Sequence, residues 1–448
     1  MKPNVFFIII DSLREDEFRI FCDAHPNSNF RKLMANGIYF SQSISQADAT
    51  LLSLSSIFTG LFPFKTGIRS EKFNKLNPNT KTFFEILKNN KYNFYGYYPT
   101  VVDLTNILPP FQNQDSGKFP SPCLTNEIGE NIFNLSANVD SPWFVYLHCM
   151  DLHDPIKVPK KYDDENLDTL YEKQIMAIDK ILGRILEKFQ SENSIFVLTS
   201  DHGTYLKQLK ISNKIIDFTN NSFSDSVQKK IGNLIPKKFD SIKDQVFYKL
   251  VEQKRTQQTK DIESYSLNSY QKRNLLSQKF NFEHHLFDEL IKVPLLFSSS
   301  LFKKSKLINS QVRSIDIFPT LLSILEIKYD EKTIDGKNLV PLIDDQKFDE
   351  LIAYFETNPL LTYESKDSVG IRTSRYKFFR DKNNPQERIH LYDLENDPFE
   401  NNNIFDKNKT LVEKFENQLS NMFNNEYYLP ENEKSELIEK ELKKLGYV

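Results

Sequence analysis

The sequence predicts an α/β fold, with a doubly wound, mostly parallel sheet flanked by helices and a smaller C-terminal α+β subdomain built on an antiparallel sheet. Three observations predict it: apolar runs end in polar residues, amphipathic helical segments lie between them, and short strand-and-turn patterns replace both after about residue 330. A chain of 448 residues is long enough for one large core and a smaller second domain.

The three clearest strands share one pattern, a β-rich apolar run that leads into ionisable side chains. The runs are "NVFFIIID", "WFVYLHCMDLHDP" and "SIFVLTSDHG", and they deliver Asp11, then His148 and His153, then Asp201 and His202. Continuous apolar runs are typical of parallel strands that are buried on both faces. Because ligands bind at the carboxyl edge of such sheets, these side chains are expected to lie at one site.

Helical periodicity between the strands completes the α/β pattern. In "LYEKQIMAIDKILGRILEKF", isoleucine and leucine recur at i, i+3 and i+4, and "RSIDIFPTLLSILEI" predicts a helix whose Ile317, Leu321 and Leu325 face the sheet.

Two domains are expected. Residues 1–330 are expected to form the larger domain, interrupted at about 205–280 by a polar segment without a strong strand pattern, which predicts a mostly helical insertion that shapes a pocket. Residues 331–448 form the C-terminal subdomain, with strands in "SVGIRTSRYKFFRD" and "RIHLYDLENDPFENNNI" and a charged terminal helix.

Composition narrows the function classes. The net charge of −3 comes from 58 basic and 61 acidic residues mixed along the chain, which argues against a nucleic-acid partner. The apolar run at residues 1–10 is too short for a membrane span, and no other stretch approaches the required length. Three widely spaced cysteines suggest no disulfide framework. We expect a cytoplasmic protein.

Asp11, Asp201 and His202 predict a metal site. Carboxylate oxygens with an imidazole suit a divalent cation such as Mn²⁺, Mg²⁺, Ca²⁺ or Zn²⁺. Such an ion lowers the pKa of a coordinated hydroxyl, and the stretch "DATLLSLSSIFTG" offers five hydroxyl side chains.

The order of the motifs resembles the sulfatase family of the alkaline phosphatase superfamily. The motifs run from residue 4 to about residue 400: "NVFFIIIDSLR", "TLLSLSSIFTG", "HCMDLHDP", "FVLTSDHG", "HHLFDELIKVPLLF", "DIFPTLL" and "YKFFRD" with "LYDLENDP". The resemblance implies a metal-dependent hydrolase with that superfamily's fold.

The resemblance also implies which hydroxyl is the nucleophile. The family motif C/S/T-x-P-S-R precedes a Thr-Gly, and counting back from the "TG" of this chain places Thr50 in the nucleophile position. Ser53 matches the motif serine, whereas Leu52 and Leu54 replace the proline and the arginine.

These departures favour a substrate whose reacting atom is phosphorus rather than sulfur. Sulfatases mature a Cys or Ser to formylglycine, which Thr50 cannot form, and Leu54 supplies no guanidinium. Ser12 replaces the second aspartate of the usual pair, and the expected Gly-Lys-Trp-His segment is missing from "NKYNFYGYYPTVVDL". A nucleophilic threonine is typical of the superfamily's phosphodiesterases, phosphonate monoester hydrolases and phospho-group transferases.

Residue roles follow from the resemblance. Asp11, Thr50, Asp201 and His202 are the expected ligands of a first metal, with Thr50 also the nucleophile. A second ion is left open.

The other motif residues are expected to contact substrate. His148 contacts the transferred group or protonates the leaving oxygen, and His153 and Ser53 bind substrate. Either His284 or His285 returns to the site, and its spacing before the "LFDE" motif favours His284.

The leading hypothesis is therefore a metal-dependent hydrolase or transferase that acts through Thr50 on a phosphodiester or phosphonate-type ester. Its anionic substrate would carry a carbohydrate or a lipid-linked headgroup. A sulfuric ester hydrolase and a catalytically decayed binding protein are the alternatives, and the sequence leaves the substrate and oligomeric state open.

Overall fold

The computed structural model describes residues 2–68, 75–135, 139–190, 193–211, 214–219, 259–260, 262–276, 285–358 and 366–424. Within them the strands are β1 Asn4–Ile10, β2 Gly37–Ile44, β3 Asn93–Tyr97, β4 Trp143–Cys149, β5 Ser194–Thr199, β6 Gln208–Ile211, β7 Lys214–Asp217, β8 Lys292–Ser298, β9 Lys306–Ile308, β10 Val312–Arg313, β11 Ala353–Glu356, β12 Ser368–Arg372, β13 Tyr376–Asp381 and β14 His390–Asp393.

The α-helices of the same ranges are α1 Glu15–Ala24, α2 Asn29–Ala35, α3 Thr50–Thr59, α4 Pro63–Thr66, α5 Phe83–Asn89, α6 Thr100–Asp103, α7 Glu127–Leu135, α8 Leu170–Phe189, α9 Ser269–Leu276, α10 Asp288–Ile291, α11 Ile317–Ile324, α12 Val340–Ile343 and α13 Lys409–Asn424. Short 3₁₀ turns lie at Lys160–Tyr162, Ser314–Asp316, Glu331–Thr333 and Phe405–Lys407.

The central sheet is mostly parallel, as predicted. Its order in the described chain is β10-β2-β8-β5-β1-β4-β3, with β9 beside β2. β1 runs parallel to both of its neighbours, β4 and β5, and β8 is antiparallel to β2 and β5. Ile10 lies opposite Cys149 and Ile9 opposite Thr199, so these three strands end level with one another. Their polar extensions therefore meet at one edge.

Two apolar layers cover the sheet. Val5, Phe7 and Ile9 of β1 face a core that includes side chains of α3, α5 and α11, whereas its alternate residues face α1, α2, α7 and α8. Each fully buried apolar side chain contributes about 1.5–3 kcal/mol, which is why the strand bears apolar residues on both faces. The predicted apolar faces of the two helices are buried in these layers, including Ile175 of α8 and Ile317 of α11.

The C-terminal subdomain is built on the antiparallel sheet β11-β12-β13-β14. α13 packs on it through Phe415 and Leu419. Asp288, in the catalytic domain, accepts hydrogen bonds from the Arg372 guanidinium at 3.0 Å and from Lys377 Nζ at 2.9 Å, which fastens the two parts together. Residues 425–448, the second half of the predicted terminal helix, lie outside the described ranges.

The insertion, predicted to be mostly helical, contains two strands at residues 208–217. β6 and β7 form an antiparallel hairpin there, in which Leu209 pairs with Ile216. The strands have four residues each and carry lysines among few apolar residues, so their alternation is weak in the sequence. α9 supplies a helical part of the insertion, and residues 220–258 and 277–280 lie outside the described ranges.

Two further expectations concern membranes and thiols. Among the described helices, none combines the length and the apolar character that crossing a bilayer requires. Cys22, Cys123 and Cys149 are free thiols, and Cys22 and Cys149 are buried. The absence of a disulfide framework is confirmed.

Candidate functional site

Ionisable side chains from three adjacent strands meet at the carboxyl edge of the central sheet. Asp11 follows β1, His148 lies near the end of β4, and Asp201 follows β5. One nitrogen or oxygen atom from each residue lies within 4.8 Å of the other two, and all three side chains are fully buried. The level ends of β1, β4 and β5 bring them together.

Thr50 and His202 complete this cluster. Thr50 Oγ1 donates to Asp11 Oδ2 at 3.2 Å and lies 3.4 Å from His202 Nε2, which lies 3.5 Å from Asp201 Oδ2. All four predicted metal ligands are thus in one place. Thr50 is the first residue of α3, after Ala49 at the N-cap, and first-turn N–H groups have no carbonyl partner within a helix. The site therefore combines a hydroxyl, carboxylates and a helix N-terminus that favours anions.

The turn after β1 holds Asp11 in position. Ser12 Oγ donates to Asp11 Oδ1 at 2.7 Å, and the Ser12 carbonyl accepts from the Tyr171 hydroxyl at 2.8 Å. Ser12 has φ 64°, a left-handed conformation that is uncommon for residues other than glycine. Strain of this kind costs about 1–3 kcal/mol and persists where the surroundings fix it, as they do here.

The histidines and carboxylates of the cluster shift each other's pKa values. Burial alone raises the pKa of Asp11, but its hydrogen bond with His148 and the charges of His153 and His202 hold that pKa well below its ordinary range. Burial lowers the pKa of His202, and the charges of Asp201 and Asp11 outweigh this effect and raise it. Asp11 is therefore ionised at neutral pH.

The residues fit a divalent metal ion. Asp201 Oδ2 is buried and has no hydrogen-bond partner in the part of the chain that the structure describes. An unpaired buried carboxylate oxygen is costly unless a cation satisfies it. Carboxylate, hydroxyl and imidazole donors converge on the same space, which is the chemistry that divalent ions require.

The sequence predicts His148 at this site but not among the metal ligands, and the structure places it beside one of them. Its Nε2 lies 3.4 Å from Asp11 Oδ2 inside the cluster, and its Nδ1 lies 3.1 Å from the Tyr146 hydroxyl. The useful signal is the register, because Ile9 of β1 pairs with His148 of β4. That pairing depends on strand order, which one sequence does not give. The predicted catalytic role of His148 stays a prediction.

The predicted substrate-binding residues have different surroundings. His153 is half-buried in the loop after β4, and its charge contributes to the low pKa of Asp11, so it faces the cluster. Ser53 is fully buried, and its hydroxyl donates to the Ala47 carbonyl at 3.1 Å and lies 3.0 Å from Ser45 Oγ. These contacts fix the segment before α3, so we do not carry Ser53 into the proposed site.

Of the two adjacent histidines, His284 lies outside the described residues. The ring of His285 packs in the C-terminal subdomain, 4.9 Å from the His390 ring and 6.2 Å from the Phe379 ring. His285 is thus directed toward the C-terminal sheet, and His284 stays the predicted contact.

Asp151, between His148 and His153, is a structural residue. Its carboxylate accepts from the backbone N–H groups of Leu124 and Thr125 at 2.7 and 3.0 Å. It therefore fixes the loop before α7.

Two cavities lie near the loops of this domain. One of about 280 Å³ is lined by residues that directly follow the cluster on β4 and β5, including Leu152, Lys157, Tyr205 and Lys207. A larger cleft of about 1110 Å³ lies between α1, α2 and the C-terminal subdomain, and no member of the cluster lines it. No member of the cluster lines the smaller cavity either, but its lining residues follow the cluster closely in the chain.

Comparison with known proteins gives consistent results. Residues 3–327 match the family described as "Sulfatase", and residues 277–425 match "N-sulphoglucosamine sulphohydrolase, C-terminal". A protein of Formosa agariphila named "Sulfatase" is 24% identical over 89% of this chain and 82% of its own length.

Solved structures share the fold. The phosphonate monoester hydrolase of Agrobacterium radiobacter has a TM-score of 0.63 at 14% identity, covering 94% of this chain and 96% of its own. BT4656, in complex with its substrate D-glucosamine-2-N,6-O-disulfate, has a TM-score of 0.63 at 14% identity, covering 95% and 98%. Ps i-CgsB in complex with a neocarrahexaose has 0.64 at 15%, covering 100% and 98%. At these identities the likeness establishes the fold, and the α/β prediction is confirmed.

Proposed function

The chain belongs to the sulfatase family of the alkaline phosphatase superfamily, and from this premise we propose that it is a metal-dependent hydrolase or transferase that acts on phosphodiester or phosphonate-type esters through Thr50. The observation that carries the proposal is the position of Thr50 Oγ1, 3.2 Å from Asp11 Oδ2 and 3.4 Å from His202 Nε2 at the first residue of α3.

Each part of the cluster has a task in this reaction. Asp11, Asp201 and His202 would hold a divalent ion, which would supply Lewis-acid chemistry that lowers the pKa of a bound hydroxyl. Thr50 Oγ1 gives up its proton and attacks phosphorus, forming a P–O bond while the bond to the leaving oxygen breaks, and the leaving oxygen takes up a proton. Hydrolysis then consumes one water molecule and releases the threonine. The first-turn N–H groups of α3 favour the negative charge of the transferred group.

Two residues support phosphorus rather than sulfur as the reacting centre. Thr50 is a secondary alcohol that does not yield the formylglycine aldehyde of mature sulfatases. Leu54 is fully buried in the apolar core, so its position brings no cation to the site.

Sulfuric ester hydrolysis is the second candidate. The C-terminal match to N-sulphoglucosamine sulphohydrolase favours it, and BT4656 acts on a sulfated glucosamine. The phosphonate monoester hydrolase of similar fold supports the leading proposal in the same degree. A binding protein without catalysis is the third candidate, and the buried, ionised Asp11 beside Thr50 argues against decay of the site.

The cavity of about 280 Å³, whose lining residues follow the cluster in the chain, is the proposed place for the alcohol part of the substrate. Lys157 offers positive charge, Lys207 is paired with Asp154 in the same lining, and Tyr171 and Tyr205 offer ring faces. This lining suits an anionic ester with a polar headgroup, such as a carbohydrate or a lipid-linked headgroup. A cytoplasmic location belongs to the same proposal.

The test is a metal-supplemented activity screen of the purified full chain on phosphomonoesters, phosphodiesters, phosphonate monoesters and sulfate esters. We expect turnover of a phosphodiester or phosphonate ester and none by Thr50→Ala. Full activity of Thr50→Ala would show that Thr50 is not the nucleophile. Turnover of sulfate esters alone would establish the sulfuric ester hydrolase. A protein that cannot take up divalent metal would establish the non-catalytic binding protein.

A further inference from the structure

The C-terminal subdomain contacts the segment that precedes α3. The backbone N–H of Glu356, at the end of β11, donates to the Gln46 carbonyl at 3.0 Å, and Glu356 forms a parallel bridge with Ala47. Two residues farther on, the backbone N–H of Asn358 donates to Asp48 Oδ1 at 2.7 Å. These contacts fix Asp48 and Asn358 beside each other, although 310 residues separate them in the chain.

Asp48 lies close to the cluster that contains Thr50. The two residues are two positions apart in the chain, and such a span is at most about 7 Å long. Burial raises the pKa of Asp48, and the charge of His202 acts in the opposite direction. Burial also raises the pKa of Tyr205, and nearby carboxylates that include Asp48 add to this effect. Because Tyr205 lines the cavity of about 280 Å³, Asp48 interacts both with the cluster and with a wall of that cavity.

The side chains of Asp48 and Asn358 can accept further hydrogen bonds. Asn358 Oδ1 is buried and has no hydrogen-bond partner in the part of the chain that the structure describes. The half-buried Asp48 carboxylate accepts from the Asn358 N–H, and no other described residue donates to it. A buried acceptor without a partner costs about 1–3 kcal/mol. A donor that arrives with a ligand would remove this cost.

We infer that Asp48 and Asn358 form a specificity pair, which accepts hydrogen bonds from a hydroxyl or an amine on the organic part of the ester substrate. This role rests on the proposed function, because the pair acts on the same substrate as Thr50. It adds to that function a substrate class, namely esters whose organic group carries a hydrogen-bond donor. Neither member of the pair has a task in the bond-breaking steps proposed above.

The chemistry of the specificity pair requires that the substrate supplies the donor. An ionised carboxylate and an amide oxygen accept hydrogen bonds and donate none. A carboxylate beside Thr50 also repels an anionic ester, so it disfavours substrates that bring no compensating group. A substrate without a donor would leave both acceptors unpaired in a desolvated site, and sites built to bind a polar group reject such analogues strongly. The pair therefore selects among esters.

A matched series of chromogenic esters, assayed with the metal-supplemented full chain, tests this selection. The series comprises p-nitrophenyl phosphodiesters and phosphonate monoesters in which the group retained on phosphorus is hydroxypropyl, aminopropyl or methoxypropyl. We expect the kcat/KM of the wild type to be about 10- to 100-fold higher for a donor-bearing group than for methoxypropyl. The better of the two donors identifies the recognised group as a hydroxyl or an amine. Equal kcat/KM for all three groups would overturn the inference while the proposed function survives, whereas no turnover of any ester would remove both.

Substitutions then assign the selection to the specificity pair. We expect Asp48→Ala and Asn358→Ala to lower the preference for the donor-bearing ester by about 10-fold. Asp48→Asn, which keeps an acceptor oxygen, should retain more of the preference than Asp48→Ala, and Asn402→Ala, at an exposed asparagine, should retain all of it. The preference is a ratio of two values of kcat/KM from one preparation, so differences in folding or metal loading cancel. An unchanged preference in both alanine variants would contradict the assignment, and the wild-type series decides even if a variant fails to fold.

Discussion

Thr50 Oγ1 donates a hydrogen bond of 3.2 Å to Asp11 Oδ2, although 39 residues separate the two in the chain. The contact joins the first residue of α3 to the end of β1. It depends on the Thr50 hydroxyl, so a substitution that removes this group also removes the contact. We predict that Thr50→Ser retains measurable turnover, whereas Thr50→Val, which keeps the shape, loses on the order of 10³-fold or more in kcat. Steady-state kinetics with equal metal loading measures this. Similar activity of the two variants would show that the hydroxyl is not the nucleophile.

His153 faces the cluster from the loop after β4 and is half-buried. We predict that His153→Gln lowers kcat/KM about 10- to 100-fold, the range expected for one lost hydrogen bond to a charged group. Metal content should be unchanged, because substrate rather than the ion is its expected partner. Kinetics and elemental analysis of the same preparation separate the two effects, with His25→Gln as the control. Loss of metal in His153→Gln would place this residue among the ligands instead.

Lys377 is fully buried between two carboxylates. Its Nζ lies 2.9 Å from Asp288 Oδ1 and 2.9 Å from Glu400 Oε1. We predict that Lys377→Met lowers the free energy of unfolding by about 3–5 kcal/mol, because it leaves buried carboxylates without their cation.

The exposed Lys409–Asp406 pair, at 3.2 Å, supplies the matched control for Lys377. Lys409→Met should cost less than about 1 kcal/mol. Denaturant titration of both variants measures the difference, and equal costs would mean that the Lys377 pairs contribute no more than surface pairs.

His390 gives the fold an acid-sensitive element. Burial, together with the positive charges of His285, Arg388 and Lys377, lowers its pKa to about 3. The unfolded chain, with a histidine pKa of about 6.5, binds the proton first, so stability falls as the pH drops below that value. By pH 5 the loss amounts to about 2 kcal/mol.

Replacing the ring tests this account of His390, which stacks on Phe379 at 4.4 Å. We predict that His390→Phe gains about 2 kcal/mol relative to the wild type between pH 7 and pH 5. Denaturant titrations at the two pH values measure that change. A stability difference that does not vary with pH would contradict it.

Much of the fold follows from local patterns. Continuous apolar runs predict β1, β4 and β5 because a strand buried on both faces tolerates polar residues only at its ends. The helix α8 is predicted by its apolar residues at i, i+3 and i+4, which place one apolar face toward the core. The hairpin of β6 and β7 escapes such reasoning, since its two four-residue strands are only partly buried and show little alternation.

The sequence by itself determined the α/β class and the order of motifs, and it predicted Asp11, Thr50, Asp201 and His202 as one set. The tertiary structure decided that His148 Nε2 lies beside Asp11 Oδ2, that the Ser53 hydroxyl is engaged before α3, and that His285 packs against the C-terminal sheet. The physical reason is that residue type and spacing act over a few positions, whereas strand order and register are fixed by packing across the whole sheet. A shift of one residue in the pairing of β4 with β1 would turn His148 to the opposite face.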